Sequence, residues 1–259
     1  MKIVAALTTK NEDWIIEKTL SVLNIFCDKI IILDDNSDDN TEKICKSFEK
    51  VEWTVRKKRD NIWDRKEAEG LHECFTLATK HNPDYILMLD ADEIPTPNIV
   101  NFLKNIDSSY NAFTIRMINL QPDDKHYRVD KFITELGSRQ NHDPFAPNSW
   151  RKTVLIKYDK NFNYTYNFNI QKGGTSKYHP APQNLQNVKF IDDFYIIHYG
   201  KLNKKYISGE KDKFYALIES HNGQGTYEDR LKHHYLCRIG SGPNGPEIKT
   251  CPKDWFWDV

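Results

Sequence analysis

Apolar positions in the first 120 residues follow two different spacings along the chain. Short continuous apolar runs are typical of buried strands, whereas apolar residues three and four positions apart are typical of helices. In Glu12–Phe26, for example, Ile16, Leu20 and Leu23 share one helical face. The spacing predicts strands at Lys2–Leu7, Lys29–Leu33, Val51–Arg56 and Tyr85–Leu89, and helices at Glu12–Phe26, Thr41–Glu49, Lys66–Lys80 and Asn98–Asn105.

This alternation of strands and helices predicts an α/β fold. Parallel strands need long, usually helical, connections, and strands buried on both faces have continuous apolar runs. We therefore expect a three-layer α/β/α sandwich around a mostly parallel central sheet.

The pattern changes after residue 120, where longer polar segments such as Gly137–Ser149 separate the apolar runs. No internal repeat and no linker-like composition interrupts the chain, so we expect a single domain, 1–259, with an elaborated second half. The predicted strands are Asn111–Leu120, Lys152–Tyr158, Asn161–Asn169 and Phe194–Tyr199, and the predicted helices are Lys204–Glu219 and Tyr227–Cys237, followed by a loop at Gly240–Pro246.

The charge balance narrows the classes of partner. The 259 residues include 37 Lys and Arg and 37 Asp and Glu, so the formal charge is zero. General nucleic-acid binding, which needs a basic surface, is therefore not expected. The apolar run at the amino terminus is too short for a signal peptide. No run approaches the ~20 apolar residues that span a bilayer, so no transmembrane segment is predicted.

The cysteines predict a reducing, cytoplasmic location. They are odd in number, scattered and never spaced C-x-x-C, which disfavours both a disulfide scaffold and a thiolate zinc site. The five are Cys27, Cys45, Cys74, Cys237 and Cys251.

Polar clusters follow three of the predicted strands: Thr8–Glu12, Asp34–Thr41 and Asp90–Glu93. Each alone is explained equally well by a solvated turn with helix-capping residues. In an open parallel sheet, however, ligands bind beyond the carboxyl ends of the strands. Because all three clusters fall at such ends, together they predict one binding site.

The phosphate-binding chemistry of this site is expected to involve a metal. The chain has neither of the usual Gly-rich phosphate loops. Two close carboxylates, in Asp90-Ala91-Asp92, are suited to a hard divalent cation that bridges phosphate oxygens. A calcium loop at Asp34–Thr41 is excluded, because the sixth position is not Gly and Cys45 stands where the bidentate Glu belongs.

These three clusters resemble those of glycosyltransferase family 2, enzymes of the GT-A fold that use nucleotide sugars. The matching segments are Thr8-Thr9-Lys10-Asn11-Glu12, Leu33-Asp34-Asp35-Asn36-Ser37 and Leu89-Asp90-Ala91-Asp92-Glu93. The resemblance covers roughly residues 1–120. It implies a GT-A-like fold with a nucleotide-sugar-binding half, 1–120, and an acceptor-side half with carboxyl-terminal helices, 121–259.

The resemblance also implies roles for individual residues in donor binding. Thr8, Glu12 and Asp35 would line the nucleoside pocket, with Asp35 on the base. Asp90 would face the ribose or a metal-bound water, or ligate the metal with Asp92. Arg65 stands where the family often has a cation near the nucleotide, although an ordinary surface charge explains it equally well.

Two further roles fall in the second half of the chain. His198 ends a predicted strand and resembles the family's late metal or diphosphate ligand; the alternative is a structural core histidine. An inverting enzyme of this family needs a carboxylate base, for which Asp143 is the candidate and Glu135 and Asp229 are rivals. For each of the three carboxylates, an ordinary surface charge is the more common explanation.

The resemblance implies a glycosyltransferase that depends on Mn²⁺ or Mg²⁺. It would move a sugar from a nucleotide diphosphate sugar, with a UDP-sugar the expected donor, to a hydroxyl on a glycan, lipid or protein, with inversion. A nucleotidyltransferase stays open as an alternative, although the segment after the first strand lacks the expected glycines. A non-catalytic sugar-nucleotide or glycan-binding module on the same fold also stays open.

The chain ends in an aromatic cluster, Trp255-Phe256-Trp257. Peripheral contact with a membrane and contact with a partner are both open for it. Docking on the domain is the expectation, because exposed aromatic clusters are unfavourable in water.

Overall fold

The computed structural model describes residues 1–58, 67–129, 131–133, 139–141, 143–146, 149, 151–166, 181–221, 223–239 and 247–259. Its helices are α1 (Ile16–Phe26), α2 (Thr41–Cys45), α3 (Glu67–Thr79), α4 (Ile99–Lys104), α5 (Lys204–Ile207), α6 (Glu210–His221) and α7 (Tyr227–Ile239). The strands are β1 (Ile3–Thr9), β2 (Lys29–Asp34), β3 (Val51–Val55), β4 (Tyr85–Asp90), β5 (Glu93–Pro95), β6 (Ala112–Asn119), β7 (His126–Arg128), β8 (Lys131–Ile133), β9 (Arg139–Asn141), β10 (Arg151–Lys157), β11 (Val188–His198) and β12 (Ile248–Thr250).

The main sheet has the strand order β3-β2-β1-β4-β10-β6-β11-β5. Strands β3, β2, β1 and β4 pair with one another in parallel, and β10 runs antiparallel to β4. Two-stranded sheets pair β7 with β12 and β8 with β9. The predicted α/β architecture with a parallel first half is confirmed.

The central strands are buried on both faces, which explains their continuous apolar sequences. Every residue of Ile3–Leu7 and of Ile30–Leu33 is buried, so the side chains on both faces of the sheet are covered. On one face, Cys74, Phe75 and Ala78 of α3 pack against residues of β1, β2 and β4. Because β1 to β4 pair in parallel, their carboxyl ends lie at one edge of the sheet.

Two predicted elements differ in kind from the structure, and a third, the helix predicted at Thr41–Glu49, ends earlier, at Cys45. The predicted helix Lys204–Glu219 is two helices, α5 and α6, because Gly209 between them has φ +79°, a left-handed conformation that interrupts a helix. The alternating segment predicted as a strand at Asn161–Asn169 is irregular over its described part, 161–166. There, Tyr164 lies within 6.1 Å of the ring centroids of Phe75, Tyr158 and Phe162, so the aromatic alternation serves ring packing.

The chain divides into two compact units. The first unit comprises Met1–Ile115, Arg151–Ile196 and Asp254–Val259, and the second comprises Arg116–Trp150 and Ile197–Lys253. In the second unit, α6 and α7 are joined by ion pairs of Glu219 with Arg230 and of Asp212 with Arg238, and by a hydrogen bond between Glu219 and the ring of His234. Across the described ranges, no helix has the length and apolar character needed to cross a membrane.

The aromatic tail docks on the first unit, as predicted. The indole nitrogen of Trp257 donates to the carbonyl of Pro95 at 2.6 Å, and its ring stacks on Phe26 at a centroid distance of 6.2 Å. Trp255 packs edge-on against Tyr195. The tail therefore covers the end of β5 and part of α1.

Trp257→Ala removes both the hydrogen bond and the aromatic pair. Because each contributes about 0.5–1.5 kcal/mol, we expect the free energy of unfolding to fall by about 1–3 kcal/mol. Urea unfolding of the variant measures this change. Val259→Ala, at an exposed residue of the same tail, is the control and should leave stability unchanged; equal stability of the two variants would contradict docking.

Candidate functional site

The carboxyl ends of β2, β1 and β4 meet at one edge of the first unit. In the parallel registers, Thr9 pairs with Asp34 and Thr8 pairs with Asp90. The Thr8 hydroxyl donates to Asp90 Oδ1 at 3.4 Å. The structure therefore brings together the three polar clusters that the sequence placed at strand ends.

The loops after β1 and β2 are tied to each other by hydrogen bonds. The backbone NH of Asn11 donates to Ser37 Oγ at 2.8 Å, and that of Asp38 donates to Asn11 Oδ1 at 2.9 Å. Asn11 and Asn36 have φ of 56° and 62°, values that Asn tolerates better than most residues. Asp34 is buried and accepts from the backbone NH of Ser37 at 2.8 Å. The two loops thus form one fixed rim.

Asp35 lies on this rim with its side chain 22% exposed. Its backbone NH donates to the carbonyl of Thr9 at 2.8 Å, which fixes the residue beside β1. Lys10 Nζ donates to the Asp35 carbonyl at 2.7 Å and lies 4.0 Å from Asp35 Oδ2. Asp35 is therefore held by its backbone, with its carboxylate partly exposed on the rim.

Two further predicted site residues are Glu12 and the cation Arg65. The Glu12 carboxylate accepts from the indole nitrogen of Trp14 at 2.6 Å, and the Glu12 backbone NH donates to Thr41 Oγ1 at 2.9 Å. Arg65 lies outside the described residues. Arg56, which the sequence did not single out, follows β3 at this edge and faces Glu69 and Glu73 at 3.9 and 3.8 Å.

The acidic turn after β4 contacts a buried cation on β10, Lys152, that the sequence did not reveal. Lys152 Nζ lies 3.0 Å from Asp90 Oδ2 and 2.5 Å from Glu93 Oε1. The side chains of Lys152 and Glu93 are 5% and 1% exposed, whereas that of Asp90 is 47% exposed. Glu93 Oε2 also accepts from the backbone NH of Asp90 at 3.0 Å. Asp90 is thus held by the buried Lys152 and Glu93, and nearly half of its side chain remains exposed to solvent.

The charge of Lys152 is maintained by its partners. Burial alone would lower the pKa of this ammonium, but Asp90 and Glu93 outweigh burial and raise its pKa above the ordinary value. Lys152 is therefore a permanent positive charge beneath the acidic turn.

Asp92 is buried in the turn between β4 and β5. The turn is anchored to α1, because Thr19 Oγ1 donates to the carbonyl of Ala91 at 2.7 Å. Within the residues that the structure describes, no three His, Cys, Asp or Glu side chains gather into a group able to hold a metal ion. Asp90 and Asp92 still fit a Mg²⁺-like ion, which proteins usually bind through one or two carboxylates plus substrate phosphates.

His198 ends β11 in the second unit. Its Nδ1 lies 2.6 Å from Asn119 Oδ1, the residue that ends β6, and its carbonyl accepts from the backbone NH of Leu120 at 3.1 Å. The hydrogen bond to Asn119 fixes the orientation of the imidazole ring. The suggested approach of His198 to Asp92 stays a prediction.

The three candidate bases have different surroundings. Asp143 Oδ1 accepts from the backbone NH of Phe145 at 2.9 Å, in a turn whose Pro144 carbonyl accepts from buried Arg116 at 2.8 Å. Asp229 accepts from Thr226 Oγ1 at 2.8 Å while its backbone NH donates back to that hydroxyl, an arrangement that caps α7. Glu135 lies outside the described residues.

With this geometry established, comparison with known proteins identifies the family. The family model described as Glycosyl transferase family 2 matches residues 5–170, more than half of the chain. The chain therefore belongs to glycosyltransferase family 2, as the strand-end motifs predicted.

Individual relatives are more distant. An uncharacterized protein of Mycobacterium bovis is 33% identical over 95 residues, which is 36% of this chain and 23% of that protein. An uncharacterized protein of Mycobacterium tuberculosis gives the same values. The chain thus spans about a quarter of the length of the curated relatives it matches.

Two solved structures superimpose in part on this chain. S. aureus TarS 1–349 in complex with UDP-GlcNAc has 13% identity and a TM-score of 0.49, over 92% of this chain and 73% of that chain. Glucosyl-3-phosphoglycerate synthase from M. tuberculosis, in complex with Mn²⁺, UDP and glucosyl-3-phosphoglycerate, has 21% identity and a TM-score of 0.34, over 46% of this chain and 44% of that chain.

Proposed function

We propose that the protein transfers a sugar from a nucleotide diphosphate sugar to a hydroxyl acceptor, with inversion and with a divalent metal. The donor is a UDP-sugar, as membership of the family suggests, and the acceptor hydroxyl belongs to a glycan, lipid or protein. The observation that carries this proposal is the meeting of Thr8, Asp34 and Asp90 at one edge of a parallel sheet. That edge is where open α/β sheets bind nucleotides.

The nucleoside is assigned to the rim formed by the loops after β1 and β2. Asp35, held by its backbone against Thr9, would accept a hydrogen bond from the base. Glu12 and Thr8 would line the same pocket, and Asp90, with its exposed carboxylate, would face the ribose. Arg65 is proposed as a cation near the nucleotide.

The diphosphate is assigned to the turn after β4. Asp90 and Asp92 would hold Mn²⁺ or Mg²⁺, since oxygen donors suit both ions, and His198 would contact the diphosphate. A bound divalent ion supplies Lewis-acid stabilisation of the departing diphosphate. The carboxylates of Asp90 and Asp92 would hold the divalent ion at the edge of the sheet.

Asp143 is proposed as the base that accepts the proton of the acceptor hydroxyl. The hydroxyl oxygen then bonds to the anomeric carbon as the bond to the diphosphate breaks, which inverts that centre. A base must lie within hydrogen-bond reach of the proton it removes. The turn that presents Asp143 is fixed by Arg116, which donates to the Pro144 carbonyl and to Ser149 Oγ.

A thermal-shift panel of nucleotide diphosphates and nucleotide sugars, each with and without Mn²⁺, tests the proposal. A ligand at 100 times its Kd stabilises the native state by about 2.7 kcal/mol, which produces a measurable rise in Tm. We expect the largest shift with UDP or a UDP-sugar in the presence of Mn²⁺. No shift with any nucleotide would contradict the proposal, and binding without turnover would favour the non-catalytic module.

Asp35→Ala should weaken both UDP and UDP-sugar, because the proposed partner of Asp35 is the base and not the sugar. A hydrogen bond to a charged group contributes about 1.5–3 kcal/mol, so Kd should rise about tenfold or more. Calorimetry measures the change. Asp38→Ala, at an exposed residue of the same loop, is the control; equal affinities of the two variants would reduce Asp35 to a turn residue.

A further inference from the structure

The buried ammonium of Lys152 lies beneath the carboxylate that the proposed function places nearest the metal. Strand β10 is antiparallel to β4, with Leu155 opposite Leu87. Continuing this register brings Lys152 opposite Asp90, and the two side chains meet at 3.0 Å. Lys152 therefore contacts Asp90 because of strand pairing, without a flexible loop between them.

Asp90 is restrained at both carboxylate oxygens. Lys152 donates to Oδ2, and the Thr8 hydroxyl donates to Oδ1 at 3.4 Å. Glu93 completes the arrangement, because it accepts from Lys152 at 2.5 Å and from the backbone NH of Asp90 at 3.0 Å. The cluster formed by Asp90, Glu93 and Lys152 is a buried network that sets the orientation of one partly exposed carboxylate.

We propose that Lys152 is a positioning residue that orients Asp90 and keeps the metal affinity of the nucleotide-free protein low. The inference rests on the proposed function. The Lys152 ammonium, hydrogen-bonded to Asp90 Oδ2, occupies part of the lone-pair capacity that this candidate ligand would offer a divalent cation. The donor diphosphate adds negative oxygens on the open side of Asp90, so the ion binds together with the donor.

The test compares Mn²⁺ binding by the wild-type protein and by Lys152→Met/Glu93→Gln. The double variant removes the ammonium together with the buried carboxylate that it neutralises, so no unpaired charge is left inside. The amide introduced by Glu93→Gln retains an oxygen that accepts from the backbone NH of Asp90. Lys157→Met is the matched control, since it removes a lysine at the other end of β10, where Lys157 pairs with Tyr85.

Free Mn²⁺ is measured by electron paramagnetic resonance in titrations of each protein without nucleotide and then with UDP. We expect wild type and Lys157→Met to bind Mn²⁺ weakly alone, and the double variant to bind it several-fold more tightly, because no ammonium then occupies Asp90 Oδ2. A purely structural role for Lys152 would not tighten metal binding. Circular dichroism confirms that each variant is folded.

Two results overturn the inference: a folded double variant whose affinity for Mn²⁺ alone equals or falls below that of wild type, and tight binding of Mn²⁺ alone by wild type. The UDP arm tests the proposed function separately. If UDP does not enhance Mn²⁺ binding by wild type while the double variant binds Mn²⁺ more tightly, the role of Lys152 is supported and donor binding is contradicted.

Discussion

We expect Asp92→Asn to abolish turnover and the Mn²⁺-dependent part of donor binding, while the protein stays folded. Asparagine keeps the size of the side chain and one oxygen, so the buried turn between β4 and β5 can keep its packing. It removes the negative charge that the proposed metal requires. Electrostatic stabilisation of charge that develops in the transition state is commonly the largest contribution to catalysis, and loss of one such contact typically costs about 10²–10³ in rate.

The measurement is release of nucleotide diphosphate from the donor, with thermal unfolding as the test of folding. Asp258→Asn, an exposed residue near the carboxyl terminus, is the control for removal of a carboxylate charge and should retain full activity. Wild-type rates in Asp92→Asn would contradict the role of Asp92 as a metal ligand. Full activity of the wild-type protein in excess chelator would contradict the metal requirement itself.

Lys152→Met has the largest expected effect on stability. It leaves Glu93, whose side chain is 1% exposed, as a buried carboxylate without its ammonium partner. Removal of one partner of a buried ion pair typically costs about 3–5 kcal/mol, so the free energy of unfolding should fall by about this amount. Urea unfolding measures the loss.

Two companion variants isolate the cause of that loss. Lys152→Met/Glu93→Gln should recover most of the stability, because no unpaired charge remains in the interior. Lys157→Met should cost little, since the Lys157 ammonium donates to the carbonyl of Ser108 at an exposed position. Equal stabilities of Lys152→Met and Lys157→Met would show that the buried network contributes nothing to folding.

The parallel half of the fold and its polar edge were predictable from local sequence. Continuous apolar runs such as Lys29–Leu33 identify buried strands, and parallel strands deliver their following residues to one edge. This is why Thr8, Asp34 and Asp90 meet in the structure as expected.

Lys152 was not predictable in the same way. Its role depends on β10 lying beside β4 with one particular register, and strand pairing across more than sixty residues leaves no local signal. Lys152 and Lys157 both lie in the predicted strand Lys152–Tyr158, and nothing local distinguishes the buried lysine from the partly exposed one. The sequence alone does not identify Asp90 and Glu93 as the partners of Lys152.

The break between α5 and α6 and the irregular segment at 161–166 were missed for local reasons. Gly209 adopts a positive φ that helical periodicity does not report, whereas aromatic alternation fits ring packing as well as a pleated strand. For Asp143 and His198, the roles depend on where an acceptor and a donor bind, so they stay predictions, as do the single domain and the cytoplasmic location.

The most direct test of the central claim is release of UDP from UDP-sugars incubated with the wild-type protein and Mn²⁺, with Asp92→Asn in parallel. Water or an added alcohol serves as acceptor, so the assay needs no knowledge of the natural one. The account predicts UDP release from at least one UDP-sugar by the wild-type protein and none above background by the variant. Equal release by both proteins, or UDP-sugar binding with no release under any condition, would contradict it.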